Sequence, residues 1–134
     1  MNENVSKESQ ERYWLESATH DLEAAEALFS SGRNDWCLFI GHLVIEKTIK
    51  ALVVRRTGLN PPRTHNLVTL AETAGLALSE EQRHLLLEIT DFNIETRYPD
   101  YKQSFYGICT REFAEKYFTE IKKVRSWLLS QMKQ

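Results

Sequence analysis

The chain of 134 residues has few residues that break or bridge a backbone: five glycines, three prolines and two cysteines. So little Gly and Pro leaves few turns for a multi-stranded sheet and favours long helices. Cys37 and Cys109 fall in no Cys-x-x-Cys or metal-ligand spacing, so neither a disulfide framework nor a thiolate metal site is expected, only reduced thiols. The longest unbroken apolar run, Trp36-Cys37-Leu38-Phe39-Ile40, is far short of the roughly 18 residues of a membrane span. Residues 1–7 carry no apolar stretch suited to a signal peptide, so a cytoplasmic location is expected. There is no excess of one charge either. The 17 basic and 19 acidic side chains give a net charge of −2 and a pI near 6.1, which excludes a broad basic coat for nucleic acid. With 42% apolar residues the chain is not disordered, and its length suits one domain, 1–134, with a core over about 8–132.

The residues present repeat at helical spacing. Trp14, Ala18, Leu22, Ala25 and Leu28/Phe29 predict a first helix over about Lys7–Ser31, stopped at Gly32. A second is expected from Trp36 to Thr57, N-capped by Asn34 or Asp35 and closed by Gly58 before Pro61 and Pro62. Thirteen of the 19 residues from 36 to 54 are apolar and spread nearly all round, which marks this helix as the buried centre of a bundle. A short helix over about Asn66–Ala74 ends at Gly75. The capping box Ser79-Glu80-Glu81-Gln82 starts the next, with Leu85, Leu86, Ile89, Phe92 and Ile94 as its apolar residues and Pro99 ending it near Arg97-Tyr98. An aromatic loop from Tyr98 to Cys109 leads to a last helix, capped by Thr110, with the stripe Phe113, Tyr117, Ile121, Val124 and Leu128. The expected fold is all-α: an antiparallel four-helix up-and-down bundle with one additional short helix.

The small net charge is a cancellation between segments. Residues 1–41 carry a net −5, 42–65 a net +4, 66–100 a net −5 and 101–134 a net +4. In 42–65, Lys47, Lys50, Arg55, Arg56 and Arg63 face Glu46 alone. The Arg55–His65 loop can bind phosphate through guanidinium forks, or its arginines can complement the negative end of their helix. On the buried helix His42, Glu46 and Lys50 recur at i, i+4 and i+8, one polar line with Lys47 beside it. That line is either a structural Glu46–Lys50 ion pair or the wall of a cleft or subunit interface where the lysines meet a nucleotide or RNA phosphate. His42 and Glu46 alone are too few to hold a metal, and His20, His65 and His84 add no His-Glu-x-x-His spacing, so no metal or cofactor is expected. His65, between Thr64 and Asn66, is either a local cap or a general base. Arg97-Tyr98-Pro99-Asp100 either closes its helix or holds an Arg and a Tyr ready to bind phosphate and stack a base. No P-loop, Gly-rich dinucleotide turn or Ser-His-Asp elbow occurs.

Taken together, Trp36, Glu46-Lys47-Thr48-Ile49-Lys50-Ala51-Leu52, Thr64-His65-Asn66-Leu67 and Thr96-Arg97-Tyr98-Pro99-Asp100 resemble the HEPN domain family, as does Asp21-Leu22-Glu23-Ala24-Ala25. The resemblance runs from about Trp14 to Leu129. It implies a small helical bundle that commonly forms homodimers. Many prokaryotic members pair with a minimal nucleotidyltransferase as toxin and antitoxin, and those with Arg-x(4–6)-His are metal-independent ribonucleases. That spacing is absent here, so the chain resembles the branch with Glu-Lys-x-x-Lys-Ala and Arg-Tyr-Pro signatures. The leading expectation is a binding module for a nucleotide or RNA phosphate using Lys47, Lys50, Arg63, His65, Arg97 and Tyr98, with His42 and Glu46 in the polar line. The alternatives are a ribonuclease with His65 as base and Arg63 or Arg97 as charge stabiliser, and a dimerisation scaffold that binds no ligand.

Overall fold

The computed structural model describes residues 6–98 and 105–133, and these contain helices and no strand. Five helices follow in order: α1 (Lys7–Ser30), α2 (Asn34–Thr57), α3 (Leu67–Thr73), α4 (Glu80–Arg97) and α5 (Arg111–Gln131). Most begin where a side-chain oxygen meets a free backbone N–H. Ser6 accepts from Ser9, Asn66 from Val68 and Thr69, and Thr110 from Phe113. At α4 the Ser79 hydroxyl accepts from the Gln82 N–H and the Gln82 side chain accepts from the Ser79 N–H, the full capping box. Gly58 stops α2 in the left-handed region (φ 71°), its N–H donating to Val54 O.

Two boundaries differ from the sequence expectation. α2 begins at Asn34, with Arg33 as a cap that makes no side-chain bond. The Asn34 amide donates instead to the Cys109 carbonyl at 3.1 Å, so one of the two residues expected to cap α2 pins its start to the segment before α5. The expected loop before α5 contains a helical turn over 105–108, where Phe105 is buried against Phe92 and Phe113; Pro99 and Asp100 lie outside the described residues.

Side-chain pairings across the bundle give its topology. Arg55 reaches Glu11 and Lys47 reaches Asp21, so α1 and α2 run antiparallel. Arg97 lies over Phe39, which sets α4 against α2; Tyr117 bonds Glu88 and Phe113 meets Phe92, which sets α5 against α4. The result is up-down-up-down, with α3 in the connection between α2 and α4. α2 packs on all four other helices, and its buried residues include Leu38, Ile45, Ile49, Leu52 and Val53. Gly41 lets α5 approach closely, because a Cβ there would stand 2.8 Å from Ile121 Cδ1.

Cys37 and Cys109 are free and buried, and burial pushes both thiols up to about 12, which leaves them protonated and inert. Ile94, one of the apolar residues read along α4, is exposed. The buried face of α4 continues instead through Asn93 and Thr96, at the 3–4 spacing set by Leu86 and Ile89. Among the described residues no helix is long and apolar enough to cross a membrane.

Candidate functional site

The polar line lies on a single face of α2, where Phe39, His42, Glu46 and Lys50 recur at helical spacing. His42 is wholly buried and its Nε2–H donates to the backbone carbonyl of His65 at 2.8 Å. That bond puts the proton of the neutral ring on Nε2 and leaves Nδ1 as a buried lone pair without a hydrogen-bond partner among the described residues, 3.8 Å from Glu46 Oε1. Burial holds the His42 imidazole below its ordinary 6.5, an effect greater than the opposing pull of the His65 carbonyl and Glu46.

Glu46 is the node of the site. Its side chain is only 6% exposed; Oε2 accepts from Lys50 Nζ at 2.9 Å and Oε1 accepts from His65 Nδ1 at 2.8 Å. Burial by itself would raise the carboxyl, but the hydrogen bonds from His65 and Lys50, with the charge of Lys50, outweigh it and hold Glu46 below the usual range. His65, bonded to Glu46 through Nδ1, has a side chain that is 53% exposed. The segment carrying His65 is fixed from three directions. His42 holds its carbonyl, the Thr64 hydroxyl accepts from Asn66 N–H, and Thr90 of α4 accepts from Leu67 N–H at 3.1 Å.

Beyond Lys50 the face opens into a cleft of about 620 Å³ between the first turns of α1 and the loop after α2. Tyr13, Trp14, Lys50, Asn60 and Arg63 line it, and among the described residues no acidic side chain does. Lys50 Nζ sits 5.1 Å from the centre of the Trp14 ring, a cation–π contact that aims the ammonium at this opening. Arg63 is exposed and has no ion-pair partner among the described residues. At the other end of the line Arg97 stacks over Phe39 at 5.3 Å, and Tyr98, 55% exposed, caps α4.

The structure therefore brings Lys50, Arg63 and His65 to the region around Glu46, with Arg97 and Tyr98 one element further along. It does not bring Lys47 there. Lys47 Nζ is 2.7 Å from Asp21 and donates to Ser17 at 2.8 Å, both on α1, so its charge is met in the α1–α2 seam. Arg55 pairs with Glu11, and Arg56 donates to the carbonyls of Ala74 and Gly75 at the end of α3. Sequence reasoning missed Tyr13 and Trp14 as cleft walls. It placed Trp14 in the apolar stripe of α1, and only its adjacency to a cation at tertiary distance gives it a second use. A separate cleft of about 510 Å³ between α4 and α5, walled by Leu85, Tyr117, Val124 and Trp127, holds none of the residues singled out from the sequence as candidate site residues. Among the described residues no group of three or more His, Cys, Asp or Glu could hold a metal ion.

This fold is similar to that of a solved protein, described as the crystal structure of TT1696 from Thermus thermophilus. The TM-score is 0.75 at 24% identity, over 90% of this chain and 97% of the other. At that identity the likeness speaks to the fold alone. No curated protein matches the sequence. Residues 11–132 match the HEPN domain, and the chain belongs to the HEPN domain family.

Proposed function

We propose that this HEPN protein binds the phosphate of a nucleotide or RNA, with the cleft beside Glu46 as its seat. The observation that carries this reading is the lining of that cleft. Tyr13 and Trp14 offer rings to a base, Asn60 offers an amide to its edge, and Arg63, with Lys50 that also pairs with Glu46, offers cations to phosphate. Its volume of about 620 Å³ falls within the range of small-ligand sites. Arg97 and Tyr98 extend the same chemistry for a longer strand.

Thermal melting against a panel of nucleotides and short RNAs tests this. A ligand that binds only the folded state, at 100 times its Kd, adds about 2.7 kcal/mol of stability. For a domain of this size that is roughly a 10 °C rise in Tm. Arg63→Ala should remove the shift while leaving the ligand-free melt in place. No shift with any nucleotide or RNA refutes the proposal.

The Glu46–His65 pair favours a second reading, a metal-independent ribonuclease. A carboxylate on Nδ1 fixes the tautomer so that Nε2 can take the proton of an attacking 2′-hydroxyl, and Arg63 or Arg97 can stabilise the charge that builds on phosphorus. RNA incubated with the protein in chelator should then be cut, and His65→Ala should be inert. The family relationship also supports self-association and pairing with a minimal nucleotidyltransferase in a toxin–antitoxin-like unit. The exposed Ile94, Tyr98, Tyr106 and Ile108 supply apolar surface for such contacts. Co-expression with that class of enzyme, followed by sedimentation, tests both associations.

A further inference from the structure

We infer that the cleft takes a nucleoside monophosphate, with Arg63 and Lys50 on its single phosphate and Tyr13 against its base. The inference rests on the nucleotide reading of this cleft and goes further by fixing how many phosphates it serves and which ring serves the base. All three residues line the cleft.

Recognition of a phosphate chain draws on successive backbone N–H groups, a helix N-terminus or a magnesium ion held by carboxylates. The loop after α2 has little of the first. Gly58 N–H donates to Val54 O, Leu59 N–H to the Thr57 hydroxyl and Thr64 N–H to Pro62 O. Pro61 and Pro62 have no N–H to give. Among the described residues of this stretch that leaves the N–H groups of Asn60 and Arg63, which are not neighbours, so no adjacent run is free for a ligand. On α1 the two N-terminal residues that line the cleft are committed as well: Ser9 N–H donates to Ser6 Oγ and Gln10 N–H to the Ser6 carbonyl. Among the described residues no carboxylate lines the cleft, and both oxygens of nearby Glu46 are occupied.

What remains for phosphate is two side-chain cations. Lys50 shares its charge with Glu46 at 2.9 Å. Arg63, exposed and without an ion-pair partner among the described residues, has the planar fork that grips one phosphate group through two oxygens. That supply matches the charge of about −2 on one phosphate monoester and falls short of a triphosphate's. The two rings divide the rest of the work. Lys50 Nζ lies over Trp14, 5.1 Å from its centre, so Trp14 positions a cation. Tyr13 packs edge-on to Trp14, at 5.2 Å and 69°, and is 61% exposed, which makes it the open ring for stacking.

Titration calorimetry on the full chain tests this with the common ribonucleosides, their 5′-monophosphates, and their triphosphates with and without magnesium. At least one monophosphate should bind about tenfold or more tighter than its nucleoside, the gain that charge-assisted hydrogen bonds to one phosphate give. The triphosphate should gain less than about a further tenfold, with magnesium or without. Arg63→Ala should erase most of the difference between monophosphate and nucleoside. Tyr13→Ala should weaken the monophosphate about tenfold, and Tyr13→Phe should restore it. Both positions are exposed, and circular dichroism with the ligand-free melt confirms that each variant folds. A triphosphate about tenfold or more tighter than the monophosphate overturns the inference and leaves the nucleotide reading standing. So does a short RNA that shifts the melt when no mononucleotide binds. A monophosphate that gains less than about tenfold over its nucleoside, or an affinity unchanged in Tyr13→Ala, also overturns the inference. Binding of no nucleotide and no RNA overturns both.

Discussion

Replacing Glu46 by glutamine keeps the shape of the side chain and removes the charge that two neighbours depend on. The carboxylate is 6% exposed and Lys50 is 12% exposed, so the ion pair is largely out of water. Removing one partner of a buried pair costs about 3–5 kcal/mol, because the other charge stays behind unmatched. Lys50 has a partial escape, since its ammonium already lies against the Trp14 face at the cleft and can lift toward solvent. The low end of the range therefore applies, about 3 kcal/mol, which for a domain of this length lowers Tm by roughly 12 °C. Lys50→Met should cost less, about 1 kcal/mol, because Glu46 keeps its bond to His65 and the methionine stem fills the same volume. The double variant should then be more stable than the sum of the single losses by at least about 1 kcal/mol, as expected for groups in one network. Urea unfolding of the four proteins, with m-values compared, measures the cycle. A Glu46→Gln protein that loses less than about 1 kcal/mol, with no coupling to Lys50, refutes the view that this carboxylate organises the site.

Acid should weaken the fold in two stages. His42 and Glu46 both have folded-state pKa values below their ordinary 6.5 and 4.5, so below those values the unfolded chain binds more protons and stability falls with pH. The first loss begins under 6.5 as buried His42 resists protonation, and the second under 4.5 as Glu46 loses its charge. Urea midpoints taken between about pH 7.5 and 4 should trace both stages, and His42→Gln, which retains an amide donor for the His65 carbonyl, should flatten the first alone; an unchanged profile in that variant assigns the first stage elsewhere. Gly41→Ala gains up to about 1 kcal/mol of helix propensity but drives a methyl into Ile121, a fully buried side chain, so a net loss of about 1 kcal/mol is expected. In an Ile121→Val background the interfering Cδ1 is gone and the same substitution should stabilise; a loss of equal size there shows that the backbone, not Cδ1, sets the limit.

The sequence disclosed what is local and withheld what is not. The caps at Ser79 and Thr110 were legible because each acts within three residues of itself, whereas Asn66, read as the first residue of its helix, proves to be its cap. The start of α2 was not legible, because the Asn34 amide goes to Cys109, 75 residues away. The His42–Glu46–Lys50 line could be read from helical spacing, but its meaning depended on His65, 19 residues from Glu46 and 23 from His42, in a segment with no periodicity. Ile94 departs from expectation because apolar character is a weaker guide than register: the 3–4 spacing through Leu86, Ile89, Asn93 and Thr96 carries the buried face into polar residues. The charge segregation also reached the site, and geometry gives it a sharper form. Glu46 is the lone acid of residues 42–65, and both of its oxygens are occupied, one by Lys50 and one by His65. Lys47, Arg55 and Arg56 are met by α1 and the end of α3. Of the five cations in the segment, only Arg63 is left without a counter-group among the described residues, and it stands at the lip of the aromatic cleft. On the proposed function, a chain with a net charge of −2 presents one compact site for an anion, set among acidic segments that disfavour non-specific polyanions.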